Sequence, residues 1–190
     1  MSVAYHALDE SAYSFSSWLP ELPLRLLHDL NHLEEAATRF RTVIERDPGA
    51  RRAEYAAHKI LDGFTLREDW GNLLENARFF RDQEALGSNR FKGEVANIYM
   101  RTSFKLVQVN YEEQEDFPGA AHGFWAFYEE FPDSEVADKA LNNSAFYYAQ
   151  IGNTTRAIAC REALIENFED SEFYNEQVSL LGYDMEKMVA

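Results

Sequence analysis

A single cysteine, Cys160, among 190 residues leaves no partner for an internal disulfide and no thiolate cluster for a metal. Basic side chains are scarce, 18 against 33 acidic ones, and the formal charge is −15. A field of that sign repels phosphate backbones, which argues against nucleic acid and anionic membranes as general partners. The amino-terminal region has no basic start leading into an apolar run, and no stretch of about 18 apolar residues occurs anywhere. The expectation is a chain with no visible secretory signal and no direct membrane insertion. Only 5 prolines and 9 glycines are present, thinly scattered. No segment alternates apolar and polar residues for long, so strands have little support and long helices have much. Asp62-Gly63 is the nearest approach to a hairpin turn, and it lies inside a helical pattern.

What is present is a repeat. The run Phe131, Pro132, Asp133, Ser134, Glu135 is echoed 37 positions on by Phe168, Glu169, Asp170, Ser171, Glu172. Before each echo lies a stripe at helical spacing: Ala120, Ala121, Phe124, Phe127 and Tyr128, then Ala157, Ile158, Arg161, Leu164 and Ile165. An earlier copy reads Ala36, Ala37, Phe40, Val43 and Ile44, and a weaker one Leu73, Leu74, Ala77 and Phe80. These helices are predicted to start at Leu33, Trp70, Phe117 and Thr154. Amphipathic stretches alternate with them, from Ala50 to Leu66, Phe91 to Glu113, Ser134 to Ile151 and Ser171 to Val189. Asp133 and Ser134 suit the N-cap of the third of these, with Glu135 and Asp138 adding negative charge to its first turn. Gly152 suits its left-handed C-terminal cap. The fold class is therefore all-α, an array of helix pairs in which each hairpin buries its face only by stacking on the next.

The best-formed hairpin carries Leu141, Ala145, Tyr148, Gly152 and Ala157. That spacing resembles the tetratricopeptide repeat, where small residues at the places of Ala145 and Ala157 let two helix backbones approach and a tyrosine fills the gap beside them. Leu181 and Gly182 resemble the same pair in a further first helix. The resemblance implies a right-handed α-solenoid of helix hairpins in one domain over 1–190: a capping helix region over 1–23, helix pairs over 24–48, 49–86, 87–132 and 133–168, and a terminal helix over 171–189. In the capping region Tyr13, Phe15, Trp18 and Leu19 suggest a covering helix, while Pro20 and Pro23 break the register of the first repeat.

The motif F-P-D-S-E-V-A-D-K-A and the long repeat resemble the tetratricopeptide proteins of Gram-negative cell envelopes, the BamD-like and Tol-Pal-coordinator-like scaffolds. This implies a periplasmic or envelope-associated place if the chain is part of a longer protein, and a cytoplasmic one otherwise.

Carried over residue by residue, the resemblance implies a concave protein-binding face. Tyr55, His58, Asp62 and Thr65 would contribute from the second repeat, and Thr102, Lys105, Val109 and Glu112 from the third. The fourth gives Lys139, Asn142, Phe146 and Gln150, and the last helix Glu176, Ser179 and Tyr183. Such a mixture of aromatic, amide and charged groups suits an extended peptide or a helix. A clamp for a terminal carboxylate would need convergent cations, and only Asn142, Lys139 and Lys105 resemble one.

Charge is unevenly placed. Residues 111–190 hold 17 acids and 4 bases, net −13, while residues 1–110 hold 16 acids and 14 bases, net −2. The carboxy-terminal half would attract a basic partner, or its charge would serve solubility alone. Arg90, Lys92, Arg101 and Lys105 run against the trend, to meet an acidic partner or to pair with acids of the neighbouring repeat. Trp125 with Tyr147 offers either an exposed anchor or packing between helices.

The catalytic inventory is poor. His28 and His32 share a helix face near Glu35, but the string H-D-L-N-H is not the zincin pattern, so no metal is assigned. Cys160 falls beside the buried Ala157 stripe and reads as a packing residue. There is no phosphate-cradling glycine loop and no G-x-S-x-G. The expectation is no enzyme, no catalytic residue, no cofactor and no metal. Two functions compete: a scaffold that binds a peptide or protein within an envelope assembly, and a structural segment that self-associates through a terminal helix exposing Val178, Leu181 and Met185.

Overall fold

The computed structural model describes residues 33–189. Among them the ordered elements are all helical and no strand occurs. The helices are α1 (Leu33–Arg46), α2 (Arg51–Leu66), α3 (Trp70–Arg81), α4 (Asn89–Val107), α5 (Phe117–Glu130), α6 (Ala137–Gln150), α7 (Thr154–Asn167) and α8 (Tyr174–Val189), with a π-helical turn over Gln108–Glu112 that extends α4. Leu33, Trp70, Phe117 and Thr154 are the first residues of their helices, where the periodicity places them. The capping helix of 1–23, the histidines His28 and His32 and the start of the first repeat lie outside the described residues. No described helix is long and apolar enough to cross a membrane.

Two compact units divide the described chain, one of residues 33–69 and 79–92, the other of residues 70–78 and 93–189. In the first, α1 packs on α2 through Ala36, Val43, Ile44, Ala53, Ala57 and Ile60, all buried. α2 closes on a strained residue: Glu68 takes φ 54°, and the Asp69 N–H reaches back to the Phe64 carbonyl at 3.0 Å, a cap geometry that glycine enters without cost. Beyond it Glu54 accepts hydrogen bonds from the Ser88 N–H (2.8 Å) and hydroxyl (3.3 Å), and His58 meets Phe91 edge-on at 4.8 Å.

In the second unit each helix packs on the next, α5 on α6, α6 on α7 and α7 on α8. Phe124, Leu141 and Leu164 are fully buried in its core, each contributing about 1.5–3 kcal/mol by leaving water. Ala145 and Ala157 are buried in the same cluster. The first supports close approach by its size, and Tyr148 packs beside it. α6 ends on Gly152 at φ 75°, with the Asn153 N–H donating to the Tyr148 carbonyl (2.8 Å) and the Gly152 N–H to that of Ala149 (3.0 Å). This is the left-handed cap expected of Gly152.

The start of α6 corrects the sequence reading. Its N-cap is Val136, without a side-chain hydrogen bond, rather than Asp133 or Ser134. Two turns intervene, the Ser134 N–H donating to the Phe131 carbonyl and the Ala137 N–H to that of Ser134, both at 3.1 Å. The echo repeats them: Ser171 N–H to Phe168 and Tyr174 N–H to Ser171, again at 3.1 Å. The motif therefore codes a double turn that delays the helix by three residues. Side-chain caps appear instead at Asp116 and Asn153, whose oxygens accept from the Gly119 N–H (3.0 Å) and the Arg156 N–H (3.2 Å).

The second amphipathic stretch, Phe91 to Glu113, also departs from a simple helix. At its end the Glu113 N–H reaches back five residues to the Gln108 carbonyl (2.8 Å), widening the last turn. That turn lies against the glycine face of α5. A Cβ at Gly119 would stand 2.4 Å from Tyr111 Cδ1, and one at Gly123 would stand 2.9 Å from Val107 Cγ1.

Candidate functional site

Contacts between elements of the second unit fall into two sequence separations. Neighbouring helices meet over roughly half a repeat: the Ser144 hydroxyl donates to the Ala121 carbonyl (2.8 Å), and Arg161 Nε donates to Asp184 Oδ2 (3.0 Å). Next-but-one elements meet over about one repeat. The Tyr147 hydroxyl donates to Glu112 (2.5 Å), Ser171 to Asp138 (2.7 Å) and Gln177 Nε2 to Asn142 Oδ1 (2.7 Å). Tyr128 and Phe168 meet edge-on at 6.3 Å. Thus α6 touches both α7 and α8, and the outward face of α6 and α8 is held as one surface by the Asn142–Gln177 bond.

On that surface the repeat places equivalent side chains 37 residues apart: Lys139 with Glu176, Asn142 with Ser179, and Phe146 with Tyr183. Phe146 is 52% exposed and Tyr183 63%. Lys139, Gln150, Glu176 and Ser179 are also exposed, and Asn142 is half-buried by its bond to Gln177. Seven of the residues carried over from the family resemblance, Lys139, Asn142, Phe146, Gln150, Glu176, Ser179 and Tyr183, are therefore on α6 and α8.

The third-repeat candidates fare differently. Thr102 is buried, so its hydroxyl is closed to a ligand. Lys105 pairs with Glu113 at 3.4 Å, and Glu112 is taken by Tyr147. The π turn changes the register after Val107, so the offset that reaches Glu112 from a regular helix fails there. In the first unit Tyr55 is 61% exposed, with Lys59 Nζ 5.7 Å from its ring centre. Asp62 pairs with Lys59 at 3.5 Å, His58 is half-buried against Phe91, and the Thr65 hydroxyl donates to the Leu61 carbonyl.

The open alternatives for the aromatic and basic groups resolve towards packing. Tyr147 is buried and stacked between Phe117 (5.7 Å) and Phe124 (6.2 Å), so it is no exposed anchor, and Trp125 lies half-buried against Tyr128 at 5.8 Å. Burial, with Glu112 as its acceptor, holds the Tyr147 hydroxyl well above its ordinary pKa and keeps it a donor. Arg101 pairs with Glu135 at 2.5 Å, and Lys92 donates to the Glu84 carbonyl at 2.6 Å. Cys160 is wholly buried beside Ser144 (3.3 Å), and burial pushes its thiol up to about 11, so it stays protonated at neutral pH.

Two features escaped the sequence reading. One is the pairing of Arg161: its place in the buried stripe agrees with its burial, but its guanidinium rests on Asp184 and Gln177, which the stripe did not suggest. The signal was available: one repeat earlier the equivalent places hold Phe124, Tyr147 and Ala140. The other is an open hollow of about 460 Å³ lined by Ala96, Asn97, Met100, Phe131 and Ser134 among others. The Ser134 hydroxyl beneath it makes no hydrogen bond, whereas its counterpart Ser171 bonds Asp138. The position equivalent to Asp138 is Arg101, which pairs with Glu135 instead.

No protein-family model matches the sequence, and no curated protein matches it.

Proposed function

We propose that this chain is a non-enzymatic scaffold, a tetratricopeptide-like right-handed solenoid that holds a peptide or protein partner against the outward face of α6 and α8. The observation that carries the reading is the pair of exposed rings, Phe146 and Tyr183, at one repeat position in a unit whose other large aromatics are mostly drawn into packing. Exposed aromatics cost solvation and recur where partners dock. Contacts at half and whole repeat separations support stacking in series, which leaves one face of every first helix free for binding. The Phe131–Glu135 double turn and its echo support the likeness to envelope scaffolds, and a place in a cell-envelope assembly is part of the proposal.

Photo-crosslinking tests it. A benzoylphenylalanine placed at Phe146 or Tyr183 is expected to give discrete adducts in living cells, whereas one placed at exposed Glu129 on α5 gives none. Equal labelling at all three places, or adducts at Glu129 alone, would count against the face.

A second reading, self-association through α8, is favoured by the exposure of Val178, Met185 and Met188 on that helix. Sedimentation velocity over a wide concentration range separates the two, since only self-association raises the sedimentation coefficient with concentration.

A further inference from the structure

The exposed rings of this chain do not all stand in the same state. In the first unit the exposed Tyr55 ring carries Lys59, 5.7 Å from its centre, and the half-buried Phe79 ring carries Arg41 at 5.2 Å. Phe146 and Tyr183, by contrast, have no lysine or arginine over them among the described residues. They stand in the half of the chain where 17 acids face 4 bases, a net charge of −13. An aromatic face in a negative field attracts a cation twice, through the ring quadrupole and through the surrounding carboxylates. Glu176 lies on the same face of α8 as Tyr183, two turns earlier, and gives a carboxylate within the surface itself, while Lys139 holds the equivalent place on α6, so the negative field at the rings comes from the surrounding acids rather than from the face alone.

Spacing adds a second constraint. α6 and α8 are in direct contact through Asn142 and Gln177, and packed helices of this kind lie about 10 Å apart. A chain in the extended polyproline II conformation has three residues per turn and advances about 3.1 Å per residue, so its side chains at positions i and i+3 stand on one side and span about that distance. Repeat-equivalent rings on two such helices therefore match anchors three residues apart on one side of such a segment.

We propose that the α6–α8 face takes an extended basic segment whose arginine or lysine side chains, three residues apart, lie over Phe146 and Tyr183. The exposed amide of Gln150 and the hydroxyl of Ser179 flank the rings as hydrogen-bonding groups for the segment's backbone. This rests on the docking-face reading above and adds the chemistry and the register of the occupant. The cationic end groups sit on the rings while Glu176 and the acidic surroundings hold the rest of the charge, so binding weakens as salt rises.

The test uses the full chain in two steps. A random-peptide phage library is selected on the wild-type protein and counter-screened on the Phe146→Ala/Tyr183→Ala double variant, and a synthetic Arg-Gly-Ser-Arg-Gly-Ser-Arg peptide is then titrated calorimetrically. Expected are selected sequences rich in arginine or lysine at i and i+3, and a synthetic peptide whose affinity falls about tenfold or more in the double variant. Glutamate in place of arginine should abolish binding, and three consecutive arginines should bind more weakly than the spaced set. If the selected peptides are acidic or apolar yet depend on both rings, the basic occupant is overturned while the docking face stands. If selection is indifferent to both rings, the docking face falls as well. Circular dichroism of the double variant guards against misfolding, and Phe146→Leu/Tyr183→Leu, which keeps bulk without a ring, should lose affinity in the same way.

Discussion

Arg161 on α7 and Asp184 on α8 form a shielded ion pair, Nε to Oδ2 at 3.0 Å, with the two side chains only 4% and 13% exposed. One repeat earlier the same two places hold Phe124 and Tyr147, whose rings stack at 6.2 Å with 6° between their planes. The contact that joins α5 to α6 by aromatic faces thus joins α7 to α8 by charge. Gln177, where the earlier repeat has Ala140, receives the second arm of the guanidinium and passes its own amide to Asn142. Breaking one partner leaves the other charge buried. Asp184→Ala is therefore expected to cost about 3–5 kcal/mol in urea unfolding. The double change Arg161→Phe/Asp184→Tyr transplants the earlier stack, and it should recover most of that loss.

Glycines in this chain separate by what a Cβ would meet. At Gly119 it would strike Tyr111 Cδ1 at 2.4 Å, and at Gly182, inside α8, it would meet nothing within 4 Å. Gly119→Ala should therefore destabilise by about 1–3 kcal/mol through displaced packing of the π turn, and adding Tyr111→Ala should relieve part of the cost. Gly182→Ala should stabilise by about 0.5–1 kcal/mol, the helix-propensity gain alone. Thermal unfolding of the three variants decides the order.

Alkaline pH acts on Cys160. Its thiol is raised from 9.0 to about 11 by burial, against the partial relief of the Ser144 hydrogen bond and nearby arginines. The folded state thus keeps a proton that the unfolded chain releases above its ordinary pKa. Stability from this group is intact below pH 9 and declines as pH rises towards 11, by no more than about 3 kcal/mol. Cys160→Ala should flatten the pH dependence of the unfolding midpoint across that window relative to wild type, although its midpoint at neutral pH will be lower for lost packing.

The elements that were legible in the sequence are those fixed by local periodicity. Leu33, Trp70, Phe117 and Thr154 open helices because each begins an apolar stripe of period 3.6, and Gly152 closes one because its conformation demands glycine. Ser134 was misjudged because a cap and a turn use the same residue types, and only the chain's path through Phe131 and Ala137 separates them. The pairing of Arg161 was hidden because its partner Asp184 lies half a repeat away, where a single sequence carries no mark of contact. Glu112 was misplaced because the π turn alters the register beyond Val107 on which its offset depends. Phe146 and Tyr183 stand exposed at matching places because α6 and α8 are regular and lie one repeat apart.

The central claim is that the outward face of α6 and α8 is where a basic partner lies, and amide chemical-shift mapping tests it most directly. On adding the spaced arginine peptide to uniformly labelled protein, the expected perturbations centre on Lys139, Asn142, Phe146 and Gln150 of α6 and on Glu176, Ser179 and Tyr183 of α8, and shrink as salt is raised. Perturbations confined to α5 and α7, or a spectrum unchanged at millimolar peptide, would contradict it.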